Sequence, residues 1–208
     1  MKLYIDTSIK GLSLGLLSGD DKLSQLFIRD KKSDSQIALS VDKLLEQEKV
    51  SKKDIKLIVV SKGPGSFTGI RLGLAWVYGF VSGRPQIIVN STSSLGMAAR
   101  NLCSDSSLEE AFVLLKNTKT SGFLAKGSSK ISEVSHISLA DIKKLLIKKK
   151  SSKCEFFIDS TWAEACDVFL QKTNNYKIIS LDTIADNAFW GMTKYCAEDS
   201  SELPLPFI

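Results

Sequence analysis

The sequence predicts an α/β protein of two half-domains, each built on a mixed sheet, with the second reduced. Three observations lead there. The first hundred residues read strand, strand, strand, helix, strand, helix, strand, helix, as apolar spacing switches between period two and period 3.6. A similar order partly repeats after Glu110. The chain has 208 residues, 43% of them hydrophobic, enough to bury a core in one large domain or two small ones.

Lys2 to Ile5 reads as a short buried strand, and Asp6-Thr7-Ser8 carries Asx-turn chemistry. Leu12, Leu14 and Leu16 alternate, as in a strand folded back on the first. Ser18-Gly19-Asp20-Asp21 makes a second turn before a strand from Leu23 to Arg29. Ile37, Val41, Leu44 and Leu45 take helical spacing to about Gln47, with Asp34 or Ser35 available as N-cap. Ser51-Lys52-Lys53-Asp54 has the form of a capping box. Leu57 to Val60 is a compact strand, followed by a glycine-rich loop and a helix to about Val81 that Arg84-Pro85 closes. Ile87 to Val89 is a strand, and Ser91 to Ser94 supply caps for a helix to about Leu102.

Cys103 to Glu110 is polar and linker-like, which sets the half-domains at 1–103 and 104–208. In the second, Ala111 to Lys116, Gly122 to Gly127 and Ile131 to Ile137 read as strands, and Ser138-Leu139-Ala140-Asp141 opens a helix. Glu155 to Ile158 is a strand, Thr161 to Lys172 an amphipathic helix, Lys177 to Ile179 a strand and Asp182 to Cys196 the last helix. The proline-containing tail after Glu202 is expected to be extended. An antiparallel meander followed by parallel strands with crossover helices is the layout of the ribonuclease-H-like half-domain. Actin, Hsp70 chaperones and sugar kinases use it twice, in the actin-like (ASKHA) fold.

Composition narrows the function classes. No apolar run reaches the roughly 18 residues that span a bilayer. Met1 to Ile5 meets Asp6 at once, leaving no secretory h-region, so the protein is expected in the cytoplasm without a membrane partner. Cys103, Cys154, Cys166 and Cys196 form no CxxC pair and read as free thiols of a reducing compartment. His136 is the single histidine, so neither a zinc site nor a Ser-His-Asp triad is supported. The net charge of +5 is carried by scattered lysines, including Lys148-Lys149-Lys150 at a helix end, and reads as solvated surface with tRNA contact left open.

Gly63-Pro64-Gly65-Ser66-Phe67-Thr68-Gly69 is the densest motif. Pro64-Gly65 suits the centre of a type II turn, and Ser66 or Thr68 can cap the next helix. Backbone N–H groups at a helix start make an anion site. No Lys-Ser or Lys-Thr follows at Walker A spacing, and no acidic residue ends the next strand as a Rossmann fold requires. A tight turn and an anion site both fit the spacing. The helix behind the loop is apolar all round, with Arg71 its one charge. One side can cover the sheet; the other is expected to meet a partner or the protein's own second half. Gly69, Gly73, Trp76 or Val77, and Phe80 share a face on which the glycines would leave a groove for another helix.

In actin-like ATPases the first hairpin touches phosphates, and its acid helps hold the metal; here that hairpin carries Asp6-Thr7-Ser8. The matching place in the second half reads Leu115-Lys116-Asn117-Thr118-Lys119, which supplies no carboxylate for Mg²⁺. That counts against an autonomous ATPase or kinase, the alternative function considered.

Gly63-Pro-Gly-Ser-Phe-Thr-Gly-Ile-Arg-Leu-Gly-Leu-Ala75, with Ile5-Asp-Thr-Ser8 upstream, resembles the TsaB (YeaZ) family. The resemblance covers most of the first hundred residues and extends loosely to the end. It implies an actin-like fold and a non-catalytic subunit that pairs, through helices of its first half, with a TsaD-type catalytic subunit. That complex places threonylcarbamoyl on the tRNA adenosine beside the anticodon. It implies no catalytic residue and no cofactor or metal of its own: the complex uses ATP-derived threonylcarbamoyl-adenylate and a metal held by the catalytic subunit. A TsaE-type ATPase is the expected third subunit, and a homodimer in the absence of TsaD stays open. TsaD carries a histidine pair, HxxxH, on its first helix, which this chain lacks. The expected partner interface is Gly69, Ile70, Arg71, Gly73, Trp76, Val77 and Phe80 with Ile37 and Val41. The expected nucleotide-proximal residues are Asp6, Thr7, Gly63, Gly65, Ser66 and Thr68. The chain departs from the family's pattern at Asp34-Ser35 (usually His-Ser), at Trp76 and Tyr78 (usually Thr and Lys), and at Lys116-Asn117-Thr118 (usually Asp-Ala-Arg).

Overall fold

The computed structural model describes residues 1–18, 22–29, 36–106, 108–128, 132–148, 153–170 and 175–196. The expected turn at 19–21, the Asp34 or Ser35 cap, Lys149-Lys150 and the proline tail lie outside them. Among the described residues two compact units emerge: Met1–Ser94 with Met192–Cys196, and Leu95–Gly191. By this division the first unit's leading stretch ends at the start of the third helix.

The first unit begins with β1 (Lys2–Asp6), β2 (Leu12–Leu17) and β3 (Leu23–Ile28), an antiparallel meander. Helix α1 (Ile37–Gln47) leads through a capped turn at Lys52–Asp54 to β4 (Leu57–Ser61). Helix α2 (Phe67–Val81) then crosses over to β5 (Ile88–Thr92). β4 lies parallel to β1 and β5 parallel to β4, giving the order β3-β2-β1-β4-β5. Alternation puts Leu3 and Ile5 of β1 and Ile58 and Val60 of β4 on one face. They form a core there with Val41 and Leu44 of α1 and Leu74 and Val77 of α2. The capping box is present: Ser51 N–H donates to Asp54 Oδ2 at 3.0 Å. The N-cap position of α1 is Gln36, whose side chain makes no capping bond.

The second unit repeats the plan. After α3 (Ser94–Ser104) come β6 (Glu110–Lys116), β7 (Ser121–Gly127) and β8 (Ser132–Ser138). They are followed by α4 (Leu139–Lys148), β9 (Cys154–Asp159), α5 (Ala163–Leu170), β10 (Tyr176–Ile179) and α6 (Leu181–Tyr195). The order β10-β9-β6-β7-β8 matches the first sheet strand for strand, with β6–β9 and β9–β10 parallel. Phe112, Leu114, Phe156 and Ile158 pack there against Ile142 and Leu146 of α4 and Trp162. Ser138 caps α4, its Oγ accepting the Asp141 N–H at 3.2 Å. Among the described residues no helix is long and apolar enough to cross a membrane.

Candidate functional site

The hairpin Asp6-Thr7-Ser8 and the glycine loop, far apart in sequence, are tied into one knot. Asp6 closes β1 and is only 3% exposed. Its Oδ1 accepts the Ser8 N–H at 2.8 Å, the Ser8 hydroxyl at 2.7 Å and the Ser94 hydroxyl at 3.4 Å. The Ser61 hydroxyl, at the end of β4, donates to Ser8 Oγ at 3.1 Å, pairs with Ser94 Oγ, and accepts the Gly63 N–H at 3.1 Å. Among the described residues Oδ2 of Asp6 is buried without a hydrogen-bond partner. Burial pushes the Asp6 carboxyl above its ordinary pKa, against the opposing pull of the Ser8, Ser61 and Ser94 bonds.

Thr7 and Ser8 carry the knot to α2. Thr7 Oγ1 donates to the Gly69 carbonyl at 2.8 Å, and the Ser8 carbonyl accepts the Ser66 N–H at 2.5 Å. Ser66 is the N-cap, its Oγ accepting the Gly69 N–H at 3.1 Å. Gly69 and Gly73 are buried and face Thr7: a Cβ on Gly69 would enter the Thr7 carbonyl oxygen, and one on Gly73 would stand 2.5 Å from Thr7 Oγ1. These glycines are therefore not a groove for a partner helix. They let the helix settle onto the chain's own hairpin.

The loop also departs from a type II turn. Gly63–Pro64 is cis, and Gly65 sits at φ 150°, far from the roughly 80° that turn requires. The N–H groups of Gly63, Ser66 and Gly69 are spent on Ser61, Ser8 and Ser66, so this part of the expected anion cradle is engaged within the protein.

Burial sorts the expected interface residues. Ile37, Val41 and Val77 are core, each at most 3% exposed. Ile70, Trp76 and Phe80 are half-buried against that core; Trp76 stacks on Phe80 at 4.8 Å, and the Arg84 guanidinium lies over the Phe80 ring. Arg71 alone of the set is exposed. The outward face of α2 is instead Phe67, Thr68, Arg71, Leu72, Ala75 and Gly79. Phe67 is 69% and Leu72 40% exposed, and the Arg71 guanidinium sits 5.3 Å over the Phe67 ring. On α1, Leu39 is 73% exposed. Of the expected nucleotide-proximal residues, Asp6, Thr7 and Gly63 are buried, whereas Gly65, Ser66 and Thr68 are exposed.

In the second unit the carboxylate comes from the end of β9, a residue that sequence reasoning passed over. Asp159 accepts the Lys116 N–H at 3.2 Å, the Thr161 N–H at 2.8 Å and the Thr161 hydroxyl at 2.9 Å. Lys116 Nζ donates to the Thr161 carbonyl at 2.8 Å. Trp162, fully buried, lies against Gly122, and its Nε1 donates to the Lys119 carbonyl at 3.4 Å. An indole thus fills the space over the β6–β7 hairpin. Ser61 and Ser94 were likewise missed as members of the Asp6 cluster. The available signal was their place at the end of β4 and just after β5, where crevices of α/β sheets gather their polar groups. All four cysteines are buried free thiols, with burial pushing Cys166 up to about 11. His136 is exposed on β8, edge-on to Phe123 at 5.8 Å. Among the described residues no three His, Cys, Asp or Glu side chains are grouped to hold a metal ion.

The Asp6 environment makes a measurable prediction. A carboxyl raised by the fold contributes stability that is complete below the unfolded pKa of about 3.9 and is lost as pH rises through its folded value. Asp6→Asn, always neutral, should therefore gain stability relative to the natural protein as pH climbs from 4 to 8. Urea midpoints measured across that range check this; a pH-independent difference would contradict it.

Two units of one plan, each a meander followed by parallel strands with crossover helices, define a protein of the actin-like (ASKHA) class. The chain belongs to the family whose model is described as TsaD, tRNA N6-adenosine threonylcarbamoyltransferase, matched over residues 28–152, and its relatives place it with the TsaB (YeaZ) proteins. It is 36% identical over 106 residues to the tRNA threonylcarbamoyladenosine biosynthesis protein TsaB of Bacillus subtilis, covering 48% of this chain and 43% of that one. It is 28% identical over 121 residues to TsaB of Buchnera aphidicola, covering 57% and 54%. The chain thus spans about half the length of these curated relatives. YeaZ from Pseudomonas aeruginosa shares the fold with a TM-score of 0.68 at 16% identity, over 93% of this chain and 92% of that one.

Proposed function

We propose that the chain is a non-catalytic subunit in the biosynthesis of tRNA threonylcarbamoyladenosine. On this reading it docks on a TsaD-type catalytic subunit through the outward face of α2, with α1 beside it. The observation that carries the reading is that face. Phe67, Leu72, Ala75 and Gly79 lie exposed on a helix whose other side is already spent on the core, and an outward apolar surface of this kind is what a protein partner covers. Arg71 over Phe67 adds an aromatic–arginine pair, the composition favoured at interface centres. The names of the curated relatives support the pathway. The catalytic subunit would bring the metal and the threonylcarbamoyl-adenylate, with a TsaE-type ATPase as third member. Asp6 is already bonded internally to Ser8 and Ser94, which speaks against an ATPase acting alone.

Leu72→Asp puts a charge on this face without touching the core. It is expected to weaken binding to the TsaD-type subunit at least about tenfold, roughly 1.4 kcal/mol, with the thermal midpoint unchanged. Calorimetry of the two purified subunits measures it. Unchanged affinity would move the interface elsewhere, and absence of any complex would overturn the reading.

A further inference from the structure

We infer that Asp6 is a positioning residue for the docking helix, acting through the hydroxyls of Ser8, Ser61 and Ser94 rather than by touching a ligand. The inference rests on the partner-docking reading. One carboxyl oxygen, Oδ1, collects the Ser8 N–H and the hydroxyls of Ser8 and Ser94, and Ser61 joins the same cluster. Each member then holds a different part of the loop. Ser61 Oγ accepts the Gly63 N–H, the Gly63 carbonyl accepts the Ser94 N–H at 3.0 Å, and the Ser8 carbonyl accepts the N–H of Ser66, the N-cap of α2. Thr7, between Asp6 and Ser8, bonds the first turn of the helix at Gly69. Hairpin, loop, strand end and helix start therefore share one anchor. The outward residues Phe67, Arg71 and Leu72 are borne on the turns this anchor sets.

An orphaned Oδ2 in a buried cluster sharpens the inference. Among the described residues the cluster uses the carboxyl as an acceptor at Oδ1 and leaves Oδ2 without a partner. A neutral amide of the same shape keeps that acceptor, whereas a cation-holding role needs the carboxylate. Asparagine and alanine should therefore behave differently at this position.

The test uses the full chain and the TsaD-type subunit. Asp6→Ala is expected to raise amide hydrogen exchange at Gly63, Ser66, Gly69 and Ser94 about tenfold or more, the loss of one or two buried hydrogen bonds, while β1 and β4 amides stay protected. It should weaken docking by a similar factor. Asp6→Asn should restore both to near the natural values. If Asp6→Ala fails to fold, Ser94→Ala removes one hydroxyl only and should give a smaller rise at the same amides. Unchanged exchange at those amides in every folded variant, or an asparagine variant as impaired as alanine, overturns the inference. Exchange that responds while docking does not leaves the positioning role standing and refutes the docking reading instead.

Discussion

Gly69→Ala is expected to destabilise the first unit by about 1–3 kcal/mol, the usual cost of forcing an extra methyl into a packed site, or more because the atom it meets is backbone. In an exposed helix interior the same change would instead gain roughly 1 kcal/mol of helix propensity. The two effects have opposite signs, and the geometry decides between them. The new Cβ would enter the Thr7 carbonyl oxygen, which β1 and the Ser8 bonds hold in place, so no flexible side chain can yield. The urea midpoint of the first unit, followed through hydrogen exchange of the β1 and β4 amides, reads the result directly. Had Gly69 and Gly73 formed an outward groove, the substitution would keep or raise stability and damage only partner binding. A midpoint equal to or above that of the natural protein would restore that arrangement.

Trp162→Ala is expected to cost the second unit about 3–5 kcal/mol, the range for removing a buried large aromatic. Typical domains are stable by only about 5–15 kcal/mol, so the loss is a large share of the whole. The indole is fully buried in one cluster with Phe112, Leu114, Ile142 and Cys166, and a Cβ on Gly122 would stand 2.5 Å from its ring. Its removal leaves a cavity over the β6–β7 hairpin and an unpaired carbonyl at Lys119. A midpoint shift no greater than that of a surface substitution, about 0.5 kcal/mol, would contradict the role assigned to it. The plug also gives a physical reason for the divergent Lys116-Asn117-Thr118 segment. Lys116 is drawn to the Thr161 carbonyl and Asp159 to the Lys116 N–H, so these groups are engaged within the unit.

Most elements were legible because their signals are local. Alternating leucines at 12, 14 and 16, the Ser51–Asp54 capping box and the Ser66 cap each depend on neighbours a few residues away. Boundaries slipped where tertiary pairing extends an element: β5 runs to Thr92 because its residues pair along the whole of β4, and α3 runs on to Ser104. The candidate site was half legible. Gly69, Gly73, Trp76, Val77 and Phe80 turned out to face or pack on the protein's own interior, and Leu72 and Phe67 to face outward. A helix apolar on every side carries no polar stripe to show which side is inner.

The sequence by itself determined the two-unit α/β plan, the strand and helix order, the free thiols and the family motif, because these follow from periodicity, capping chemistry and residue identity. Only the tertiary structure decided what the glycines are for. Residues 6–8, 61–69 and 94 meet through contacts between segments that no spacing rule links. That meeting turns the loop from a cradle open to a ligand into an anchor that sets a helix, and sends the exposed apolar face of α2 to the side opposite the glycines.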